Sequence, residues 1–213
     1  MKKFKKLLTS VLLLGALTSC GGGQTSGDTT PSTPSQNVVE ENRALDASLV
    51  GIAEGKTSYL TTVGQADADI VNNVFKKAGL GTAYTNNNKL TASDVEDGSV
   101  VLLTLGASSK GLGAAGVDEA HEEARAAEFA AAAAQGKFTL ILFHVGGTSR
   151  RGKEGSDPII KAAFPGAKAC FVVSSGNADG FFTNLASTHN VDLYTIAKSV
   201  DLVDYAKGLY NKA

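Results

Sequence analysis

From about Lys56 the chain alternates short apolar runs with longer amphipathic ones, separated by glycine-rich stretches. Thr57 to Val63 is rich in β-branched and aromatic residues and predicts a strand that stops at Gly64. A helix follows, with Ile70, Val71, Val74, Phe75 and Ala78 on one face, Asp67 placed to cap it, Lys76 and Lys77 in its last turn and Gly79 at its end. Thr82-Ala83-Tyr84 predicts a short edge strand, and Ser93-Asp94-Val95 a helical turn. Val100 to Leu105 is almost continuously apolar, as a strand covered on both faces requires. Beyond a long glycine loop, the alanine-dense stretch Val117 to Gln135 predicts a helix. Phe138–His144, Ala167–Val173 and Val191–Ile196 predict three more strands, and Pro158–Phe164, Gly180–His189 and Val200–Tyr210 the helices after them.

This alternation predicts a single three-layer α/β domain with a mostly parallel sheet, because parallel neighbours need crossover helices and those cover both faces. The expected strand order is flavodoxin-like, 2-1-3-4-5 with a sixth strand at the far edge, and a Rossmann-like order is the alternative. The domain is expected over residues 56–213, after a signal at 1–19 and a linker at 20–55 that begins with Cys20. Gly21 to Asn37 has no large apolar residue and cannot offset its ordering entropy, so it is expected to be flexible. As a coil it would span about 20–25 Å. Val38 to Gly55 has some helical spacing and reads as linker with a turn or two of helix.

The start of the chain carries a different kind of pattern. Lys2, Lys3, Lys5 and Lys6 precede an apolar run from Leu7 to Ala16, too short to span a bilayer, which takes about 20 residues. Leu17-Thr18-Ser19-Cys20 resembles the lipobox of bacterial lipoproteins, which implies that Cys20 becomes the acylated N-terminus, with palmitate among the expected chains. The expected location is therefore the bacterial cell envelope, exported and held to the membrane through Cys20, since several acyl chains anchor stably where one does not. The formal charge of −1 changes with that cleavage. Without the leader, 16 bases face 21 acids, a balance that argues against a nucleic-acid partner.

In a doubly wound sheet, ligands bind at the carboxyl ends of the strands where the order reverses. Four small or polar loops leave strand ends here: Gly64–Asp69, Gly106–Gly116, Gly146–Asp157 and Ser174–Asp179. GASSKGLGAAG matches neither nucleotide motif in detail. Gly111 comes well after Leu105, and Leu112 stands where a P-loop needs lysine. What remains is an expected anion site built from Gln65, Ser108, Ser109, Lys110, Gly111, Arg150, Arg151, Ser174, Ser175 and Asn177, with Lys153 added if its loop folds over the crevice. The alternative for the arginine loop is a solvated surface. Asp67, Asp118, Asp157 and Asp179 are all placed to cap helices.

Hydrolytic chemistry has thin support. No G-x-S-x-G elbow exists, which leaves Ser108 or Ser109 with His144 as the only catalytic pairing at this edge, and a strand-end histidine is more often packed than basic. His121-Glu122-Glu123-Ala124-Arg125 lacks the second histidine of a zinc motif, so no metal site is expected, and no cofactor is indicated. Cys170 lies in an apolar strand and reads as a small buried hydrophobe.

The blocks TTVGQADADIVNNVFKKAGL, VLLTLGASSKGLGAAGVDEAHEEAR, HVGGTSRRGKEGSDPIIK and SSGNADGFFTNLA resemble those of an uncharacterised bacterial family of secreted proteins and lipoproteins, domain of unknown function 6305. The likeness covers about Ser58 to Leu209 and implies an α/β domain, with no catalytic residue to carry over. Three readings follow. The first is a membrane-anchored module binding a small anionic ligand at the carboxyl edge of its sheet. The others are an envelope hydrolase or transferase using the Ser/His pair, and an envelope scaffold.

Overall fold

A computed structural model describes residues 40–152 and 156–213. The leader, Cys20, the Gly21–Asn37 tract and Lys153 lie outside the described residues.

Six strands form one all-parallel sheet in the order β2-β1-β3-β4-β5-β6. They are β1 (Ser58–Val63), β2 (Thr85–Asn86), β3 (Val100–Leu105), β4 (Thr139–His144), β5 (Ala169–Val173) and β6 (Asp192–Ile196). This is the flavodoxin-like order with a sixth strand at the far edge, and it places the reversal between β1 and β3. The edge strand lies slightly later than Thr82–Tyr84, at Thr85–Asn86. Leu80 and Tyr84 are instead held by the turn that leads into it, where the Ala83 amide donates to the Leu80 carbonyl at 2.9 Å.

Alternate residues of the central strands feed two cores, as the period of a strand requires. Leu103, Leu105, Leu140, Leu142 and Cys170 face one layer. There they meet α3 (Glu119–Ala134), α4 (Ser156–Ala163) and α5 (Phe181–His189). Leu102, Phe143, Phe171 and Tyr194 face the other layer, against α1 (Ala68–Lys77) and α6 (Leu202–Leu209). Phe143, Phe171 and Tyr194 are register neighbours on β4, β5 and β6. Their rings stack at 5.4 and 4.8 Å, so side-chain packing repeats the backbone register. On α1, Val71, Val74 and Phe75 are buried, while Ile70 faces solvent, contrary to its expected place on the apolar face. Part of the expected glycine loop after β3 is also helical, α2 (Ser109–Ala115). None of the described helices is long and apolar enough to cross a membrane.

The domain also takes up residues that read as linker. Glu41 pairs in parallel with Thr195, and the Asn42 amide donates to the Thr195 carbonyl at 2.8 Å, so this strap covers the outer edge of β6. The Arg43 guanidinium lies 3.8 Å over the Tyr194 ring, Asp46 accepts from the Tyr194 hydroxyl at 2.6 Å, and the Tyr205 hydroxyl donates to the Arg43 carbonyl at 2.6 Å. Further on, Leu49 and Ala53 are buried in the second core. No sequence periodicity announces this, because edge pairing is made by backbone groups.

Burial, and donation to Asp46, push the Tyr194 hydroxyl up to about 12, from the ordinary tyrosine value of about 10. The folded state therefore holds this proton more tightly than the unfolded chain does. The contribution of the latch is complete below about pH 10 and is lost as pH rises toward 12. Titration of tyrosinate absorbance should show a component near pH 12 that Tyr194→Phe removes; an unchanged titration would mean that Tyr194 is not so held.

Candidate functional site

The carboxyl ends of β1, β3 and β4 bring the sequence-selected loops together. The Gly106 amide donates to Val63 at 3.2 Å and the Ser108 amide to Gly64 at 3.0 Å, which joins the first loop to the second. The Ala107 amide donates to Ser156 Oγ at 3.1 Å, joining the second to the start of α4. The third and fourth loops meet where Arg151 donates to the Gly176 carbonyl.

The β1 loop is fixed from beneath by α3. Glu122 and Arg125, one helical turn apart, form an ion pair of 2.7 Å with side chains only 1% and 6% exposed. Glu122 Oε2 also accepts from the Gly64 amide at 2.6 Å and from Gln65 Nε2 at 3.2 Å. Arg125 donates to the carbonyls of Thr62 and Leu90. Both charges are thus satisfied by the segments they hold. Above them Gln65 and Asp67 adopt left-handed φ of 56° and 60°, conformations that cost non-glycine residues about 1–3 kcal/mol each.

Asp67 stands at the start of α1 but makes no capping hydrogen bond, contrary to expectation. Its Oδ1 accepts from Arg150 Nε at 3.3 Å instead. The left-handed backbone turns its carboxylate away from the helix amides and over the sheet edge. There Gly146 is essential: a Cβ at that position would collide with both Arg150 Cγ and Asp67 Oδ2. The Arg150 stem also passes over Gly106, so this side chain fills the crevice at the reversal of strand order. Asp118 does cap α3, through His121 N at 2.8 Å. Asp179 accepts from the Phe181 amide, and Asp157 serves Gly152 rather than a helix start.

Arg150 and Arg151 are neighbours with opposite fates. Arg151 is 9% exposed and fully engaged: it pairs with Asp157 at 2.8 Å and Asp179 at 3.0 Å, and lies 3.7 Å over the Phe181 ring. Burial opposes its charge, but the hydrogen bonds it donates to the two aspartates outweigh that and raise its pKa. It lines a cleft of about 230 Å³ with Asp157 and Asp179, where carboxylates outnumber the cation. Arg150 is 33% exposed and uses only Nε, so both terminal nitrogens are without a partner among the described residues. Lys110, at the start of α2, is exposed.

The remaining selected residues divide. Ser108 Oγ caps the Gly111 amide. Gly111 lets α2 lie against the Gln65 carbonyl, which a Cβ would strike. Ser174 Oγ donates to the Ile196 carbonyl, and Asn177 Oδ1 accepts the amides of Phe182 and Thr183 at the start of α5. Ser109 and Ser175 are exposed on the rim. His144 is fully buried, its Nδ1 3.1 Å from the Leu105 carbonyl and its Nε2 3.1 Å from that of Gly147. Burial lowers its pKa, against the two carbonyls, which favour the charged form. Neither nitrogen is left for Ser108 or Ser109, and the geometry gives the Ser/His reading no support. Among the described residues no group of three or more His, Cys, Asp or Glu is arranged to hold a metal ion. A larger cleft, about 310 Å³, lies beside β6 between the strap and α6.

The sequence signal singled out Arg150 and Lys110 but missed Asp67 as anything other than a cap, and missed Glu122 and Arg125 altogether. Removing either member of the buried pair leaves an uncompensated charge, so Glu122→Ala or Arg125→Ala should cost about 3–5 kcal/mol in urea unfolding. A Glu122→Leu, Arg125→Met double variant should recover much of that loss.

Among comparisons with known proteins, the family model described as domain of unknown function (DUF6305) matches residues 56–210. No curated protein and no solved structure matches.

Proposed function

The chain belongs to the DUF6305 family, a domain of unknown function, and we propose that it is an exported, lipid-anchored module that binds a small anionic ligand at the reversal of strand order. The single observation that carries this reading is the state of Arg150. Asp67 holds its guanidinium by Nε alone, and the two terminal nitrogens of this partly exposed side chain have no partner among the described residues. Such a pair matches the two oxygens of a carboxylate or phosphate. Asp67 balances the charge of Arg150, and Lys110 supplies the excess that favours an anion over a neutral ligand.

Arg151 is not part of this site. Its nitrogens are spent on Asp157, Asp179 and Gly176, so its role is to hold the third and fourth loops together. The anchor rests on the first twenty residues: a basic start, an apolar run and a lipobox ending in Cys20. A tether of that kind would keep the binding edge near the membrane without inserting the domain into it.

Screening small carboxylates and phosphates by thermal shift should find stabilising anions. Arg150→Ala should weaken them about 10- to 100-fold, the value of losing charge-assisted hydrogen bonds. Arg151→Ala should lower the melting temperature of the ligand-free protein instead. If Arg150→Ala leaves anion affinity untouched, the site is elsewhere. Separately, Cys20→Ala should block incorporation of labelled palmitate and move the protein out of the membrane fraction.

A further inference from the structure

The partner of Arg150 carries an unanswered demand of its own. Asp67 Oδ1 is taken by Arg150 Nε, but Oδ2 is buried without a hydrogen-bond partner on a side chain only 7% exposed. What covers it is the methylene stem of Arg150, since Oδ2 and Arg150 Cγ both crowd the same point above Gly146. A carboxylate oxygen held against methylene has lost its water and gained nothing in return. The backbone beneath keeps it there, with Asp67 at φ 60° and the preceding loop pinned by Glu122.

Resting on the anion reading above, we propose that Asp67 Oδ2 receives a proton donor carried by the ligand itself. The ligand class is then an acid with an ammonium or hydroxyl group close to its anionic group. The anion sits on the terminal nitrogens of Arg150, and the donor reaches Oδ2 as the flexible Arg150 stem moves aside. One ion pair thereby reads both ends of a small amphoteric molecule. A site built around a buried polar atom rejects an analogue lacking the matching group far more strongly than an apolar pocket can.

Propionate, lactate and alanine share a three-carbon carboxylate and differ only in having no donor, a hydroxyl or an ammonium. Binding of each to the full-length protein, measured by calorimetry and thermal shift, should favour lactate or alanine over propionate by at least about tenfold. The preferred one identifies the donor as neutral or cationic. Asp67→Asn retains an oxygen for Arg150 Nε, exchanges Oδ2 for an NH2 group, and suits a left-handed backbone, so the fold survives. In that variant the preference should fall to near unity while propionate binds no more weakly than to the wild type, because a negative charge beside the anion has been removed. Equal affinity for all three in the wild type, abolished by Arg150→Ala, would overturn this inference and leave the anion site standing. A preference that survives Asp67→Asn would overturn the role of Oδ2. Failure of all three to bind would overturn this inference, and failure of inorganic phosphate as well would remove the anion site.

Discussion

The buried pair of Glu122 and Arg125 sets the position of everything at the carboxyl end of β1. Two charges inside a core cost more in lost hydration than they return, unless each lone pair and N–H is used. Here they are used on the end of β1 and on the chain at Leu90. Glu122 takes the Gly64 amide, and Arg125 gives to Thr62 and Leu90. An apolar pair could fill the same volume, but it could not state where the Gly64 amide must lie. The pair is thus a device for register between α3 and β1, and its consequence is felt within the next three residues. With Gly64 fixed, Gln65 and Asp67 are forced into left-handed turns, and Asp67 presents its carboxylate to the sheet edge rather than to α1.

From that displaced carboxylate comes the asymmetry of the two arginines. Residues adjacent in a tight turn project in different directions, and the partners available on each side differ. Toward the fourth loop Arg151 finds two aspartates, a carbonyl and an aromatic face, and becomes part of the wall. Toward the reversal of strand order Arg150 finds one carboxylate oxygen and two glycines, and its terminal nitrogens meet no partner among the described residues. Charge alone does not distinguish them; partner count does.

The sheet was legible in the sequence because burial on both faces leaves a signature that solvent-facing strands lack. Val100 to Leu105 and Leu140 to Phe143 are continuous apolar runs, and the glycine loops mark where each run stops. The strap and the ion pair were not legible, for physical reasons. Glu40 to Arg43 joins β6 through backbone groups, which every sequence possesses. Glu122 and Arg125 lie in a run, HEEAR, that reads as a solvated helix face, and their partners are backbone atoms some 60 residues earlier. The same applies to Asp67: an aspartate before a helix reads as a cap, and only the backbone angle reveals that it is not.

Both edges of the sheet bear on how such a domain behaves when many copies share one surface. An open parallel edge offers unpaired amides and carbonyls to any neighbour. On one side β2 is only two residues long, which limits what could pair with it. On the other, the chain itself occupies the β6 edge, and Arg43, Asp46, Tyr194 and Tyr205 lock it there. The segment that closes this edge comes shortly before β1 in the chain. The strap thus closes one edge of the sheet, while Asp67 and Arg150 meet over the carboxyl ends of β1, β3 and β4, away from that edge.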